Sequence, residues 1–88
     1  MRSVELPASS LRVSAICLGT ADTGTAIDEA TAMRMLDMFR DRGGTFVDTA
    51  LVYGEWAPGG QYASERLIGR WLRERSGRDR TVVATKGG

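Results

Sequence analysis

The chain has 88 residues, 42% apolar and 26% charged, with a net charge of +1. That suits one small domain or a part of a larger one, and the balanced charge gives no electrostatic case for nucleic acid or an anionic membrane surface. No run is apolar enough to span a bilayer, "MRSVELPASS" lacks the apolar run of a signal peptide, and one cysteine allows no internal disulfide, so a reducing cytoplasm is expected.

Arg2 to Glu5 and Leu11 to Val13 predict a short hairpin, with Pro7, Ser9 and Ser10 in its turn. "AICLG", Ala15 to Gly19, is a continuous apolar run ended by glycine, which predicts a strand buried on both faces, as in a parallel sheet. Cys17 within it reads as a small core residue, because the chain has no histidine to activate a thiol. "TADTGT" is a loop. Asp28 can cap a helix, with Glu29 in its first turn, running to about Arg42 and stopping at Gly43. Ala32, Met35, Leu36, Met38 and Phe39 cover its expected apolar face, the methionines as packing residues rather than a metal or cofactor site; Arg34, Asp37, Arg40 and Asp41 cover the other.

"TFVD", Thr45 to Asp48, is the second expected buried strand. A glycine-rich loop follows, carrying Tyr53 and Trp56. Ser64 is the expected N-cap of a second helix, with Glu65 near its start and Leu67, Ile68, Trp71 and Leu72 at helical spacing, ending near Gly77. Thr81 to Thr85 is the third expected strand, with Lys86 at its tip. The order hairpin, β, α, β, α, β predicts an α/β fold of parallel strands joined by right-handed crossovers.

Parallel strands put their C-terminal ends at one end of the sheet, where ligands bind in α/β folds. Those ends carry Gly19, Thr20, Asp48 and Lys86, with Tyr53 just beyond Asp48. Of the twelve basic residues eleven are arginine, and the single lysine is Lys86. Lysine is a compact charge whose pKa moves readily in a site, a role arginine cannot take. A free tyrosine titrates near pH ~10, too high for efficient proton exchange near neutrality, and a neighbouring ammonium lowers that value. A carboxylate would keep the ammonium charged and oriented. Tyr53 could then protonate a carbonyl oxygen while hydride arrives at the carbon. A structural salt bridge with a tyrosine beside it is the other reading of the same spacing.

"TFVDTALVYG", "SERLIGRWL" and "VVATKGG" resemble, in order and at suitable spacing, the N-terminal motifs of the aldo/keto reductases. The resemblance covers nearly the whole chain, and "YGEWAPGGQYASE" resembles bacterial members with a longer insertion after the tyrosine. It implies the N-terminal portion of a (β/α)8 TIM barrel, with the hairpin plugging the barrel bottom and residues 1–88 forming the first part of a single barrel domain. It implies reduction of aldehydes and ketones with a nicotinamide cofactor, NADPH or alternatively NADH, acting on a small carbonyl or sugar-like substrate. By the same resemblance Tyr53 matches the general acid, Lys86 the lysine that tunes it and Asp48 the carboxylate beside that lysine. Gly19 and Thr20 match residues near the nicotinamide, Asp48 also a contact to its ribose, and Trp56 a border of the substrate pocket, a loop aromatic without that role being the other reading.

The family completes its catalytic tetrad with a histidine at the end of the fourth strand, and this sequence contains none. A whole barrel needs roughly 200 residues or more, so three strands leave an unpaired edge and uncovered apolar surface. These residues are therefore expected to be the first part of a longer protein, unstable and inactive alone. A Rossmann module is disfavoured because "GTADTG" lacks the middle glycine of its fingerprint. A non-catalytic barrel-type binding subunit and an inactive truncated fragment are the remaining alternatives. The scattered arginines form no basic face interleaved with aromatics.

Overall fold

The computed structural model describes residues 1–50, 53–76 and 78–86; Leu51, Val52, Gly77, Gly87 and Gly88 lie outside that description. The chain begins with the expected hairpin. Strand β1 (Ser3–Glu5) pairs antiparallel with β2 (Arg12–Ser14), Val4 opposite Val13. The turn closes where the Leu6 N–H donates to the Leu11 carbonyl (2.9 Å) and the Ser9 hydroxyl to the Leu6 carbonyl (3.1 Å). The second strand is shifted one residue along, and Ser14 is the reason. Its N–H donates to Thr45 Oγ1 (2.9 Å), and its hydroxyl accepts from the Thr45 N–H (3.1 Å). This exchange ties the hairpin to the start of the second parallel strand, at the end of the sheet away from Asp48.

Strands β3 (Cys17–Gly19), β4 (Phe46–Asp48) and β5 (Val82–Ala84) form a parallel sheet in that order. They are shorter than the sequence suggests: Ala15, Ile16, Thr45, Thr81 and Thr85 lie outside the ladders. Leu18, Val47 and Val83 share one cross-strand row, and all three pack against the helices. Side chains alternate along a strand, so Cys17, Phe46 and Val82, then Gly19, Asp48 and Ala84, face the other way. Among the described residues nothing layers over that second face. Among those residues the strands are therefore covered on one face only, and Cys17, expected in the core, is exposed on the other. Desolvation, then the Asp48 carboxylate, push its thiol pKa upward against the pull of Lys86.

Helix α1 (Glu29–Asp41) starts as expected: the Asp28 carboxylate accepts from the Thr31 N–H at 2.8 Å, which holds its pKa low. It stops at Arg42, followed by Gly43 at φ +88°. Its buried residues are Ala32, Met33 and Leu36, with Phe39 partly buried. Met35 and Met38, expected on the buried face, are 39% and 52% exposed. The helix is rotated so that Asp37 and Arg40, expected on the opposite face, meet the second helix. There Trp71 Nε1–H donates to Asp37 Oδ1 (2.8 Å) and the Arg40 guanidinium lies 4.0 Å from the Trp71 ring centroid. An indole N–H satisfied by a carboxylate lets Trp71 be almost wholly buried at the helix interface.

Helix α2 (Ala63–Arg75) buries Leu67, Ile68 and Trp71 and partly buries Leu72. It begins before Ser64, so Ser64 is not its N-cap. Tyr62 holds that position in a left-handed conformation, φ +59°, without a side-chain cap. Arg75 ends the helix and Ser76 follows; Gly77, the expected terminator, is outside the described residues. A short 3-10 turn (Arg78–Arg80) leads into β5. Both helices lie on one side of the sheet, and the C-terminal strand ends remain open on the other.

Candidate active site

Asp48 ends β4 between Gly19 of β3 and Ala84 of β5. Its side chain rises from the face without helices. A Cβ built on Gly19 would meet nothing within 4 Å, so the position beside the carboxylate is open space.

Three side chains meet there. Lys86 Nζ donates to Asp48 Oδ1 at 2.6 Å and to the Thr49 carbonyl at 3.0 Å. The Tyr53 hydroxyl donates to Asp48 Oδ2 at 3.2 Å, and Lys86 Nζ lies 5.2 Å from the Tyr53 ring centroid. The sequence leads one to expect the lysine against the phenol and the carboxylate behind it. The structure keeps Lys86 near the phenol and adds a contact from the phenol to the carboxylate, so that Asp48 gives one oxygen to each. The hydrogen bond that Lys86 donates to Asp48 is the foremost cause raising the Lys86 pKa, with Tyr53 adding to it. Lys86 is 55% exposed and Asp48 33%, so the pair faces solvent.

A second, buried set of hydroxyls fixes this arrangement from below. Thr20 donates to the Asp48 carbonyl oxygen at 2.6 Å. Its one proton is thus committed, so in its 2.6 Å contact with Ser64 Thr20 must accept. Ser64 then has no proton left for Thr49, also 2.6 Å away, and must accept from it. The chain runs Thr49 to Ser64 to Thr20 to the Asp48 carbonyl, and all three hydroxyl residues are buried. Ser64 thereby joins α2 to the loops after β3 and β4. Sequence reading treats Ser64 as a cap and overlooks Thr49; the signal for both is a run of small hydroxyl residues just beyond two strand ends. At the rim, Glu65 accepts from the Thr85 hydroxyl.

The loop after Tyr53 is a series of tight turns. The Ala57 N–H donates to the Gly54 carbonyl, Gly60 to Ala57 and Ala63 to Gly60, each at 3.0 Å. Gly54 has φ +102°, and a Cβ there would sit 2.2 Å from the Gly60 carbonyl oxygen. Only glycine fits that pinch. Trp56 projects from the loop, 59% exposed, its ring centroid 6.3 Å from that of Tyr53 and tilted by 57°. Asp48, Tyr53, Lys86 and Gly19 thus gather on one open face, with Trp56 at its margin. Thr20 is the exception: its hydroxyl is turned inward.

Comparison with known proteins agrees with this geometry. The model of the aldo/keto reductase family matches residues 15–88. Norsolorinic acid reductase A of Aspergillus parasiticus is 39% identical over 87 residues, spanning 91% of this chain and 21% of that protein. The aryl-alcohol dehydrogenase [NADP(+)] of Phanerodontia chrysosporium is 38% identical over 88 residues, again 91% and 21%. A solved aldo-keto reductase of Bacillus halodurans, in its holo form, superposes with a TM-score of 0.80 at 31% identity, covering all of this chain and 26% of that one. The hairpin and three linked strands are therefore the N-terminal portion of a (β/α)8 barrel. The chain spans about a fifth to a quarter of the length of these proteins. They come from fungi as well as a bacterium, so similarity does not single out a bacterial origin. Among the described residues no helix is long and apolar enough to cross a membrane.

Proposed function

The chain belongs to the aldo/keto reductase family, and from that premise we propose that residues 1–88 are the N-terminal part of one barrel domain in a protein that reduces aldehyde or ketone carbonyls to alcohols. NADPH is the proposed hydride donor, with NADH the alternative; the name of the Phanerodontia relative supports NADP. A single cysteine supports a reducing, cytoplasmic setting.

The donor set fits such a cofactor. Open space at Gly19 lets a flat ring approach the backbone, and Asp48 is a carboxylate acceptor for ribose hydroxyls. Thr20 contributes by holding the Asp48 carbonyl, not by touching a ligand with its hydroxyl. When bound, the nicotinamide supplies a hydride to the carbonyl carbon. Tyr53 gives its hydroxyl proton to the carbonyl oxygen, so that an alcohol and not an alkoxide leaves. Lys86 stabilises the phenolate that remains, and Asp48 keeps Lys86 charged and in place. Tyr53 then regains a proton from water. Trp56 borders the substrate.

The observation that carries this reading is the sharing of Asp48: Oδ1 to Lys86 and Oδ2 to Tyr53. The test is Tyr53→Phe in the whole protein, with aldehyde-dependent NADPH oxidation as the readout. Retention of the full rate would refute the general-acid assignment.

A further inference from the structure

We propose that Glu65 is a positioning residue for Lys86: by holding the Thr85 hydroxyl on the helix side of the sheet, it fixes the direction in which the next side chain leaves strand β5. The placement of Lys86 stands on hydrogen bonds alone; its consequence for rate rests on the reductase reading of the site.

The last ladder row of the parallel sheet is Gly19, Asp48 and Ala84. The next residue in each segment is a threonine: Thr20, Thr49 and Thr85. Side chains alternate along a strand, so these threonines turn towards the helices where the row before them turns away. Their hydroxyls meet two consecutive residues in the first turn of α2. Ser64 meets Thr20 and Thr49, and the Glu65 carboxylate accepts from Thr85. One turn of helix therefore grips the tips of all three parallel strands.

The grip on β5 bears on the chemistry because Thr85 and Lys86 are adjacent. Backbone pairing ends just before them: the Thr49 N–H donates to the Ala84 carbonyl at 2.8 Å, and Thr85 lies beyond the ladder. There the Thr85 side chain supplies the anchor. With Thr85 tied to α2, alternation sends Lys86 to the opposite face, where Nζ meets Asp48 Oδ1 and the Thr49 carbonyl. Lysine carries its charge on a long flexible stem, so a fixed starting direction leaves it fewer ways to miss that oxygen. The side chains that raise the Lys86 pKa are Asp48 and Tyr53. Glu65 acts by geometry, through Thr85.

An acid in the first turn of a helix also interacts favourably with the helix dipole, and substitution separates the two roles. Glu65→Gln removes the charge and keeps an acceptor oxygen at the same reach. Glu65→Asp keeps the charge and, being shorter, falls short of Thr85.

The test uses the whole protein. Glu65→Asp and Thr85→Val should each lower kcat for NADPH-dependent reduction of benzaldehyde about ten-fold, with KM changed less than about two-fold, while Glu65→Gln and Thr85→Ser keep most of the rate. Combining Glu65→Asp with Thr85→Val should cost no more than either alone, because both break one contact. A second readout needs no turnover. NMR titration of Lys86 should move towards the ordinary lysine value in Glu65→Asp and Thr85→Val and stay at the parent value in Glu65→Gln. A rate that falls with Glu65→Gln and survives Glu65→Asp marks a helix-dipole role and overturns the proposal. An unmoved Lys86 titration in Glu65→Asp and Thr85→Val overturns it too, and leaves the reductase reading to stand on Tyr53→Phe. A moved titration in a protein whose parent form reduces no aldehyde upholds the positioning of Lys86 and overturns the reductase reading instead.

Discussion

Tyr53 donates to Asp48 Oδ2 at 3.2 Å, on the opposite side of the carboxylate from Lys86, which holds Oδ1 at 2.6 Å. The phenol and the ammonium thus share one anion, and Tyr53 also acts directly on the Lys86 pKa, raising it. Removing the phenolic oxygen removes the proposed proton donor and leaves that ion pair intact. Tyr53→Phe in the whole protein should lower kcat by about 10²- to 10⁴-fold, the usual contribution of a positioned acid. The substrate KM should change far less, and Tm should stay close to the parent value.

The Asp48 hydrogen bond raises the Lys86 pKa, so removing the charge on Asp48 should lower it. Heteronuclear NMR titration of Lys86 in Asp48→Asn checks the direction, and an unchanged or higher value would contradict it. The sign for stability follows. A lysine whose folded pKa is raised contributes fully below its unfolded value, about 10.4, and loses that contribution as pH rises through the raised folded value. The Tm difference between the parent and Lys86→Met should therefore hold at neutral pH and close above that range. Solvent screens this half-exposed pair, so the difference should be small.

Ser64 is fully buried and both accepts and donates. Ser64→Ala leaves the Thr49 hydroxyl without its acceptor and Thr20 without its donor. Loss of about 1–3 kcal/mol of stability is expected, the cost of stranding buried polar groups. Denaturant unfolding of the whole protein measures it. Because Thr20 also holds the Asp48 carbonyl, kcat should fall with stability.

Gly54→Ala forces a Cβ to within 2.2 Å of the Gly60 carbonyl oxygen, at a positive φ that alanine disfavours. The loop must open, and Tyr53 is the next residue. A fall in kcat larger than the fall in stability is expected, because what moves is exposed loop rather than core. Steady-state rates beside thermal unfolding separate the two effects.

The strand order, the hairpin and the Asp28 cap were legible because each depends on neighbours in the chain: an apolar run, a proline turn, a carboxylate before a helical stripe. The convergence of Asp48 and Lys86 followed from parallel topology alone. The misjudged residues depend on what packs from far away. Ser64 looks like a cap until Thr20 and Thr49 approach it from loops 44 and 15 residues distant. Cys17 is exposed because its side chain is on the sheet face away from the helices, which in a closed barrel lines the interior and which these residues alone do not cover. Met35 and Met38 look like core and Met33, outside the expected stripe, does not; the contacts of Asp37 and Arg40 with Trp71 fix a helix rotation that buries Met33 instead. That one Asp48 oxygen meets Lys86 and the other Tyr53 needed coordinates, because the lysine and tyrosine side chains are long enough to meet the carboxylate or each other.

The contact between Gly54 and Gly60 has a further consequence. It sets the two ends of the loop tip side by side, each hydrogen-bonded to Ala57, so the stretch from Glu55 to Gly59 leaves and returns through a single gate. Such a stretch can be exchanged for one of another length or sequence while Tyr53 on one side and Ala63 on the other keep their stations. On the proposed reading, what the protein accepts can then vary apart from the proposed proton donor, and a graft across those two glycines should carry selectivity with it as a unit.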